Sequence, residues 1–542
     1  MERKAILFDV RSIQRYIYAA NKLRTNIGAS YIVENLFSET LVKVLDKNFN
    51  GSKDLKSWEK PFYAERESTE YQCQIAYIGG GNAMVLFDIS VDDDELKRLV
   101  ALFSQKVLIK APGLHIGAAI GILDFSNNET YKNSRNKLFA VLKQNQNNII
   151  PTVSLPYTGF TQVCDIDGEV ASYYDDQGLF PKERHNYYSH EIVAKANAVK
   201  KSNDKLEGMF AKELNDGEYS FPTELENLGQ QAKKNYIAIV HIDGNNMGVK
   251  FSSCTDLSSH RELSADIKEK TKKSFGRLLA SIVAEYEDYK SNKSLNLQEA
   301  DGKKLLPIRP LILGGDDVTF ICPAKVAIAY SKRFIQFMAE KSEDINTEAA
   351  RSIDCCGGIA ILPTKYPFFR GYILAEQLCD SAKEKMRELW DENNPDSGSG
   401  WLDFVFLHGE QAPTLKQILA REYKAALGNM HFGPYCVIKN TAGKKADDDH
   451  MLDKLIECSK QFTLSKQYMQ KNKVKGLRAV LQKDEGMINS FMLQLNIIDQ
   501  KMPSVEYKYI NSATGWGTGI NKGFTPYVDA IEMMEYMEGA DK

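Results

Sequence analysis

One arrangement occurs twice in this chain and fixes much of what it can fold into. An apolar strand ends on an aspartate, and 73 residues further on a glycine-rich turn joins two more apolar runs (Asp9 to Asn82, and Asp243 to Asp316). In the second copy the turn reads Leu311-Ile312-Leu313-Gly314-Gly315-Asp316-Asp317-Val318-Thr319-Phe320. Glycine accepts backbone angles that other residues resist, so this run folds back as a tight hairpin with its acids at the turn. In the first copy the turn is Gly80-Gly81-Asn82-Ala83, and the acids are gone.

Around each hairpin the hydrophobic pattern gives the same order of elements. Residues 4–9 read as a strand and 10–45 as largely helical, with Ile13, Tyr16, Ile17 and Ala20 on one face and a break at Gly28. Strands follow at 72–78 and 83–89. A helix at 92–108 opens on Asp92, Asp93, Asp94 and Glu95, which suits the positive end of its dipole, and a strand covers 114–123. The second unit repeats this, with a strand at 235–243, a helix at 264–290, the hairpin at 308–322, a helix at 324–341 and a strand at 353–362. A further helix covers 371–390. Strand, helix, hairpin, helix, strand is the ferredoxin-like βαββαβ order. The fold class is therefore α+β, with two such units at 1–125 and 235–440. Between them, 126–234 forms a polar connector with helices at 136–144 and 182–201, and 441–542 forms a helical C-terminal domain.

Composition narrows the class further. The 542 residues carry a net charge of −3, so there is no global basic field, and any nucleic-acid contact must use local patches. No apolar stretch is long enough to span a bilayer, and the first residues have no signal-peptide character. The nine cysteines are scattered and form no Cys-x-x-Cys, which argues against a zinc knuckle and fits a reducing cytoplasm.

The chemistry lies in the second unit. The first strand and the hairpin are neighbours at the sheet centre, so Asp243, Asp316 and Asp317 converge at one edge. Carboxylate oxygens hold Mg²⁺, and like charges this close are costly without a metal. Two divalent ions there bind a triphosphate, activate a hydroxyl and stabilise leaving pyrophosphate. The first unit keeps one carboxylate, too few for such a site. Gly80, Gly81 and Asn82 either admit a nucleotide to the backbone or simply make the turn. Lys383, on the 371–390 helix, either meets a phosphate or faces water.

With these residues in view, the chain resembles, over most of 1–440, the large polymerase/cyclase-bearing subunit of type III CRISPR effector complexes. Asp9-Val10, Ile13-Gln14 and Tyr16-Ile17, followed by Gly28-Ala29-Ser30, are similar to that family's first-palm signature, and Gly79-Gly80-Gly81-Asn82 to its degenerate hairpin. Asp243-Gly244-Asn245-Asn246-Met247-Gly248 and Gly314-Gly315-Asp316-Asp317 resemble its metal motifs, and Ala382-Lys383 its triphosphate-binding lysine. Diguanylate cyclases share the Gly-Gly-Asp-Asp run but have a single palm.

The resemblance implies an RNA-guided antiviral complex that joins ATP into a cyclic oligoadenylate second messenger when target RNA pairs with crRNA. It implies other effector subunits as partners. Two Mg²⁺ or Mn²⁺ ions would sit on Asp243, Asp316 and Asp317. Nucleotide would contact Gly244, Asn245, Gly314, Gly315 and Lys383, and Gly80, Gly81 and Asn82 on the first palm. Three departures stand out. The chain begins at the first palm with no His-Asp dipeptide, as expected of a variant lacking the HD nuclease domain. The connector holds a single cysteine, Cys164, and Asn245 replaces a second acid. The first departure keeps open S-adenosylmethionine as the acceptor of AMP. A non-catalytic scaffold is the remaining reading, and the intact second hairpin argues against it.

Overall fold

The computed structural model describes residues 2–49, 73–79, 81–147, 159–176, 178–180, 186–230, 235–391, 398–407, 414–440, 444–464 and 468–537. Two antiparallel-centred sheets carry the architecture. The first consists of β1 (Glu2–Arg11), β2 (Cys73–Gly79), β3 (Asn82–Phe87) and β4 (His115–Asp124), in the order β2-β3-β1-β4. The second consists of β5 (Tyr236–Gly244), β6 (Arg309–Gly314), β7 (Asp317–Pro323) and β8 (Cys355–Pro363), extended by β9 (Gly400–Phe406) and β10 (Tyr435–Ile438), in the order β6-β7-β5-β8-β9-β10. The first four strands of each follow one topology, that of the ferredoxin-like unit.

The repeat extends to local detail. In both hairpins the incoming strand carries one unpaired residue, Ala76 in the first and Leu311 in the second, three residues before the closing pair. The closing pairs are Gly79 with Asn82 and Gly314 with Asp317. Asn82 also lies opposite Asp9, while Val318 lies opposite Ile242, which brings Asp317 level with Asp243. Asn82 is thus the counterpart of Asp317, and Gly81 that of Asp316. The shared spacing of 73 suggests a register that is wrong by one residue, because the path from Asp243 to its hairpin is one residue longer than that from Asp9.

Helices cover the sheets. The first palm has α1 (Leu23–Asn35), α2 (Asp93–Lys110) and α3 (Asn128–Asn147). The helix α1 runs straight through Gly28, contrary to the break expected there. The connector helix α4 (His190–Met209) crosses so closely that a Cβ on Gly28 would lie 1.7 Å from the carbonyl oxygen of Lys195. The glycine serves a helix–helix contact, and packing outweighs its low helix propensity. In the second palm α5 (Leu257–Ala284) starts on a capping box between Asp256 and Ser259, and α6 (Ala327–Ala339) and α7 (Phe368–Leu389) follow. The C-terminal region adds α8 (Leu452–Thr463), α9 (Lys471–Leu481), α10 (Glu485–Ile497) and α11 (Tyr527–Met533).

The C-terminal region is tied to the second sheet by a buried charge cluster. Asp529 on α11 accepts hydrogen bonds from the backbone of Phe432 (2.8 Å) and Gly433 (3.2 Å) and from the Tyr435 hydroxyl (2.6 Å). His431 sits between Asp529 (3.3 Å) and Asp403 of β9 (2.9 Å), and Ser381 of α7 donates to Asp403 at 2.8 Å. No described helix is long and apolar enough to cross a membrane. All nine cysteines are free, and eight of them are buried.

Candidate functional site

The strand β5 is buried on both faces until it reaches its C-terminal end, where Asp243 emerges beside the hairpin. Gly315 takes a φ of +71°, the angle required at the first central position of a tight II′-type turn, so the hairpin closes in two residues. This leaves Asp316 at the tip and Asp317 at the head of β7. Gly244 makes room for Asp316, since a Cβ there would lie 2.9 Å from the Asp316 Cβ and 2.6 Å from the Met247 Cε. Asp316 shares a hydrogen bond with Asp243, and the Asp243 charge acts on both Asp316 and Asp317.

Lys383 joins them. Its ammonium donates to Asp243 Oδ2 and lies 3.4 Å from the carbonyl oxygen of Gly244. Burial draws the Lys383 pKa down, but the Asp243 charge outweighs it and leaves the group above its ordinary value. The other two acids are less well compensated. Burial, reinforced by the charge of Asp243 and a hydrogen bond with it, pushes the Asp316 carboxyl up to about 7. Burial and the Asp243 charge push Asp317 up to about 7 as well, against the pull of Lys383.

Several contributors escaped sequence reasoning. His241 stands two residues before Asp243 on the same strand face, 3.2 Å from the Thr319 hydroxyl and 3.4 Å from Asp317 Oδ1. Burial holds its imidazole below the ordinary value, so it is neutral at pH 7. Glu376, two turns before Lys383 on α7, adds a half-buried carboxylate whose pKa is raised by burial. From the first palm, Tyr18 stacks on Tyr372 of α7 with ring centroids 4.3 Å apart, and Tyr372 meets His241 edge-on at 5.5 Å. Period-two and period-seven spacing from Asp243 and Lys383 would have found His241 and Glu376. Nothing in the sequence announces the Tyr18–Tyr372 contact.

The remaining candidates do not all face this cluster. Gly314 pairs with Asp317 at the hairpin mouth, and Gly315 has open space where a side chain would be. Asn245 is buried and turned away, its amide donating to the Ser399 carbonyl at 3.0 Å and its backbone N–H to Asp354 O at 2.8 Å. In the first palm, Asp9 accepts a 2.7 Å hydrogen bond from Gln146 of α3, the neutral counterpart of the Lys383–Asp243 contact. Gly81 has a φ of +83° and lies against Ile13, and Asn82 closes the turn. Gly80 lies outside the described residues.

The donor set suits a hard divalent cation. It is all carboxylate, and Asp317 Oδ1 is buried without a hydrogen-bond partner. Among the described residues no three acidic, His or Cys side chains already converge as a ready-made metal cage, and Lys383 takes one Asp243 oxygen. These residues therefore fit Mg²⁺ or Mn²⁺ once the two raised carboxyls release their protons.

Comparison with known proteins bears on the same segment. Residues 236–389 match the model of the Cas10/Cmr2 second palm domain. No curated protein sequence matches the chain. Among solved structures, a Csm1-Csm4 cassette in complex with pppApApA is 12% identical with a TM-score of 0.49, over 98% of this chain and 69% of that one. A Csm1-Csm4 cassette in complex with cA4 is 12% identical with a TM-score of 0.40, over 71% of this chain and 53% of that one. The Csm1-Csm4 subcomplex of the type III-A CRISPR-Csm interference complex is 13% identical with a TM-score of 0.40 over the same shares. The chain thus spans about half the length of these two relatives, 53% in each. Residues 236–389 thus carry a second palm domain of the Cas10/Cmr2 family.

Proposed function

We propose that this chain is the nucleotidyltransferase subunit of an RNA-guided type III CRISPR effector complex. It makes a cyclic oligoadenylate from ATP when target RNA is bound, together with other effector subunits. The observation that carries this reading is the placement of Asp316 and Asp317 beside Asp243, which Lys383 contacts, with burial and the Asp243 charge pushing both carboxyls up to about 7. A group of acids that tolerates its own repulsion this poorly is arranged for a positive partner.

In this reading the three carboxylates hold Mg²⁺ or Mn²⁺, which supplies the charge neutralisation that phosphoryl transfer needs. The chain's own residues do the rest. Lys383 exchanges Asp243 for a phosphate oxygen of the incoming triphosphate. Neutral His241, held by the Thr319 hydroxyl, lies beside Asp317 without competing for its charge. A hydroxyl oxygen of the acceptor bonds to the α-phosphorus of ATP while the bond to pyrophosphate breaks, releasing pyrophosphate and a proton.

A second reading keeps this donor chemistry and changes only the acceptor, giving an AMP conjugate of S-adenosylmethionine. The scaffold reading leaves the strained acids of the second palm without purpose. The test is to supply the assembled complex with target RNA, Mg²⁺ or Mn²⁺ and labelled ATP, with and without S-adenosylmethionine, and to identify products by mass spectrometry. Oligoadenylate from ATP alone is the expected product. A conjugate formed only with S-adenosylmethionine selects the second reading, and no product under either condition leaves the scaffold.

A further inference from the structure

Lys383 is not the only polar residue of α7 with a partner on the second sheet. Ser381, two residues earlier, donates its hydroxyl to Asp403 Oδ2 of β9 at 2.8 Å. Two residues of an α-helix are about 200° apart around its axis, so the two contacts lie on opposite flanks. Lys383 reaches Asp243 of β5 on one side, and Ser381 reaches Asp403 of β9 on the other. Between these strands runs β8, whose Gly358 lies opposite both His241 of β5 and Asp403 of β9. A Cβ on Gly358 would lie 2.0 Å from the Ala375 carbonyl oxygen and 2.4 Å from the Cys379 nitrogen, so the backbone of α7 rests directly on the sheet. Close packing leaves the helix little room to shift except by rolling about its own axis. A polar contact on each flank fixes that roll.

Asp403 is itself held from the C-terminal region. It is 1% exposed, and its Oδ1 accepts from the Phe404 N–H and lies against His431 Nε2, both at 2.9 Å. The other ring nitrogen of His431 meets Asp529 of α11 at 3.3 Å. Burial opposes a charge on this imidazole, but the two carboxylates overcome it and keep the ring protonated at pH 7. A Cβ on Gly433 would lie 2.6 Å from Asp403 Oδ1 and 2.9 Å from His431 Cε1, so the contact has no slack. One turn along α11, Glu532 accepts from the Tyr423 hydroxyl at 2.5 Å and from Arg478 of α9 at 2.6 Å. The seat of α11 is thus set in part by α9, whose Arg478 is 32% exposed.

We propose that Ser381 is a positioning residue for Lys383, and that through Asp403 and His431 it ties the reach of the lysine to the seat of α11. The proposal rests on the nucleotidyl-transfer reading given above, in which Lys383 leaves Asp243 for a triphosphate oxygen. A lysine is a point charge on a flexible stem, so where it delivers that charge depends on where the helix holds its Cα. With Ser381 bound to Asp403, α7 is held in the roll that brings Lys383 to the acids. With Ser381 released, α7 rolls on Gly358 and the ammonium meets the triphosphate less well. A shift of α11, carried by His431 to Asp403, releases the serine in the same way. The C-terminal helices therefore alter the ATP affinity of the second palm without touching the nucleotide.

The test uses the full chain with Mg²⁺ and α,β-methylene-ATP, whose α–β bridge cannot be cleaved, and reads the Kd by titration calorimetry. Ser381→Ala is expected to weaken binding about tenfold, and Ser381→Thr, which keeps the hydroxyl, to restore most of the loss. His431→Gln is expected to weaken binding to a similar degree, and the Ser381→Ala/His431→Gln variant no further than either single, since both break one chain of contacts. In a Lys383→Met background, itself weaker than wild type, Ser381→Ala is expected to change nothing. A serine that only supports the fold would lower the melting temperature and cost the same with or without the lysine. Wild-type affinity in Ser381→Ala, or an equal loss in the Lys383→Met background, overturns the positioning role and leaves the nucleotidyl-transfer reading standing. Additive losses in the double variant overturn the tie to α11. An analogue that fails to bind wild type, or that binds Lys383→Met as tightly, overturns the lysine's part in that reading and the proposal with it. The Ser381 variants decide the outcome where His431→Gln fails to fold.

Discussion

Asp317→Asn tests the claim that the second palm stores electrostatic strain for a cation. In the metal-free protein the Asp317 carboxyl moves from 3.8 to about 7 on folding. At 1.36 kcal/mol per pH unit, ionising it in place costs at most about 4 kcal/mol. Its side chain is 32% exposed, and solvent screening brings the expected cost to about 2 kcal/mol. The sign follows from which state holds the proton. Between pH 4 and 7 the folded chain keeps it and the unfolded chain does not, so stability falls as pH rises through that window and stays low above it. The amide cannot ionise, so at pH 8 with chelator the variant is expected to melt about 4 °C above wild type, on the scale of a domain of 150–250 residues. The difference should shrink toward zero as pH falls to about 4. Added Mg²⁺ should stabilise wild type and leave the variant unmoved. Differential scanning fluorimetry over this pH range, with EDTA or Mg²⁺, reads all three. A variant less stable than wild type at pH 8, or a difference independent of pH, refutes the reasoning.

Other substitutions probe separate parts of the account. Lys383→Met removes the cation from Asp243 and is expected to lower turnover about 100-fold in a pyrophosphate-release assay, with Lys383→Arg retaining part of the rate. Gly28→Ala drives a methyl to 1.7 Å from the Lys195 carbonyl oxygen, and thermal melting should report a loss of about 3 kcal/mol or more. Asp529→Ala strands the N–H groups of Phe432 and Gly433 and the Tyr435 hydroxyl, an expected cost of about 3–5 kcal/mol in a denaturant melt. His431 lies between Asp403 and Asp529, whose charges overcome its burial and hold the imidazole well above its ordinary value. Its contribution is complete below about pH 6.5 and disappears as pH rises through the folded value, and Asp529→Ala should flatten this alkaline loss.

Much of the fold is legible in the sequence because burial sets the period of the pattern. The strands at Asp9 and Asp243, both hairpins and the covering helices read directly from apolar runs and turn glycines. The meeting of Asp243 with Asp316 and Asp317 follows from topology, since strand one and the hairpin are neighbours in a βαββαβ sheet. What fails is what depends on a partner distant in the chain. Gly28 has the look of a helix breaker, and only the approach of α4 explains why it sits inside a helix. Equal spacing aligns Asn82 with Asp316, and only strand pairing reveals Asp317 as its counterpart. Lys383 has the look of a solvent-facing helix residue until Asp243 is seen beside it. Tyr18 lies 354 positions from Tyr372, a contact that no local pattern encodes.

The most direct measurement is pyrophosphate release from ATP by the assembled complex with target RNA and Mg²⁺, comparing wild type with Asp316→Ala/Asp317→Ala. Wild type is expected to release pyrophosphate until EDTA is added, with release at least about 1,000-fold lower in the double variant, which keeps its fold and its partners. Equal release by the two proteins would contradict the claim that the second-palm acids carry the chemistry.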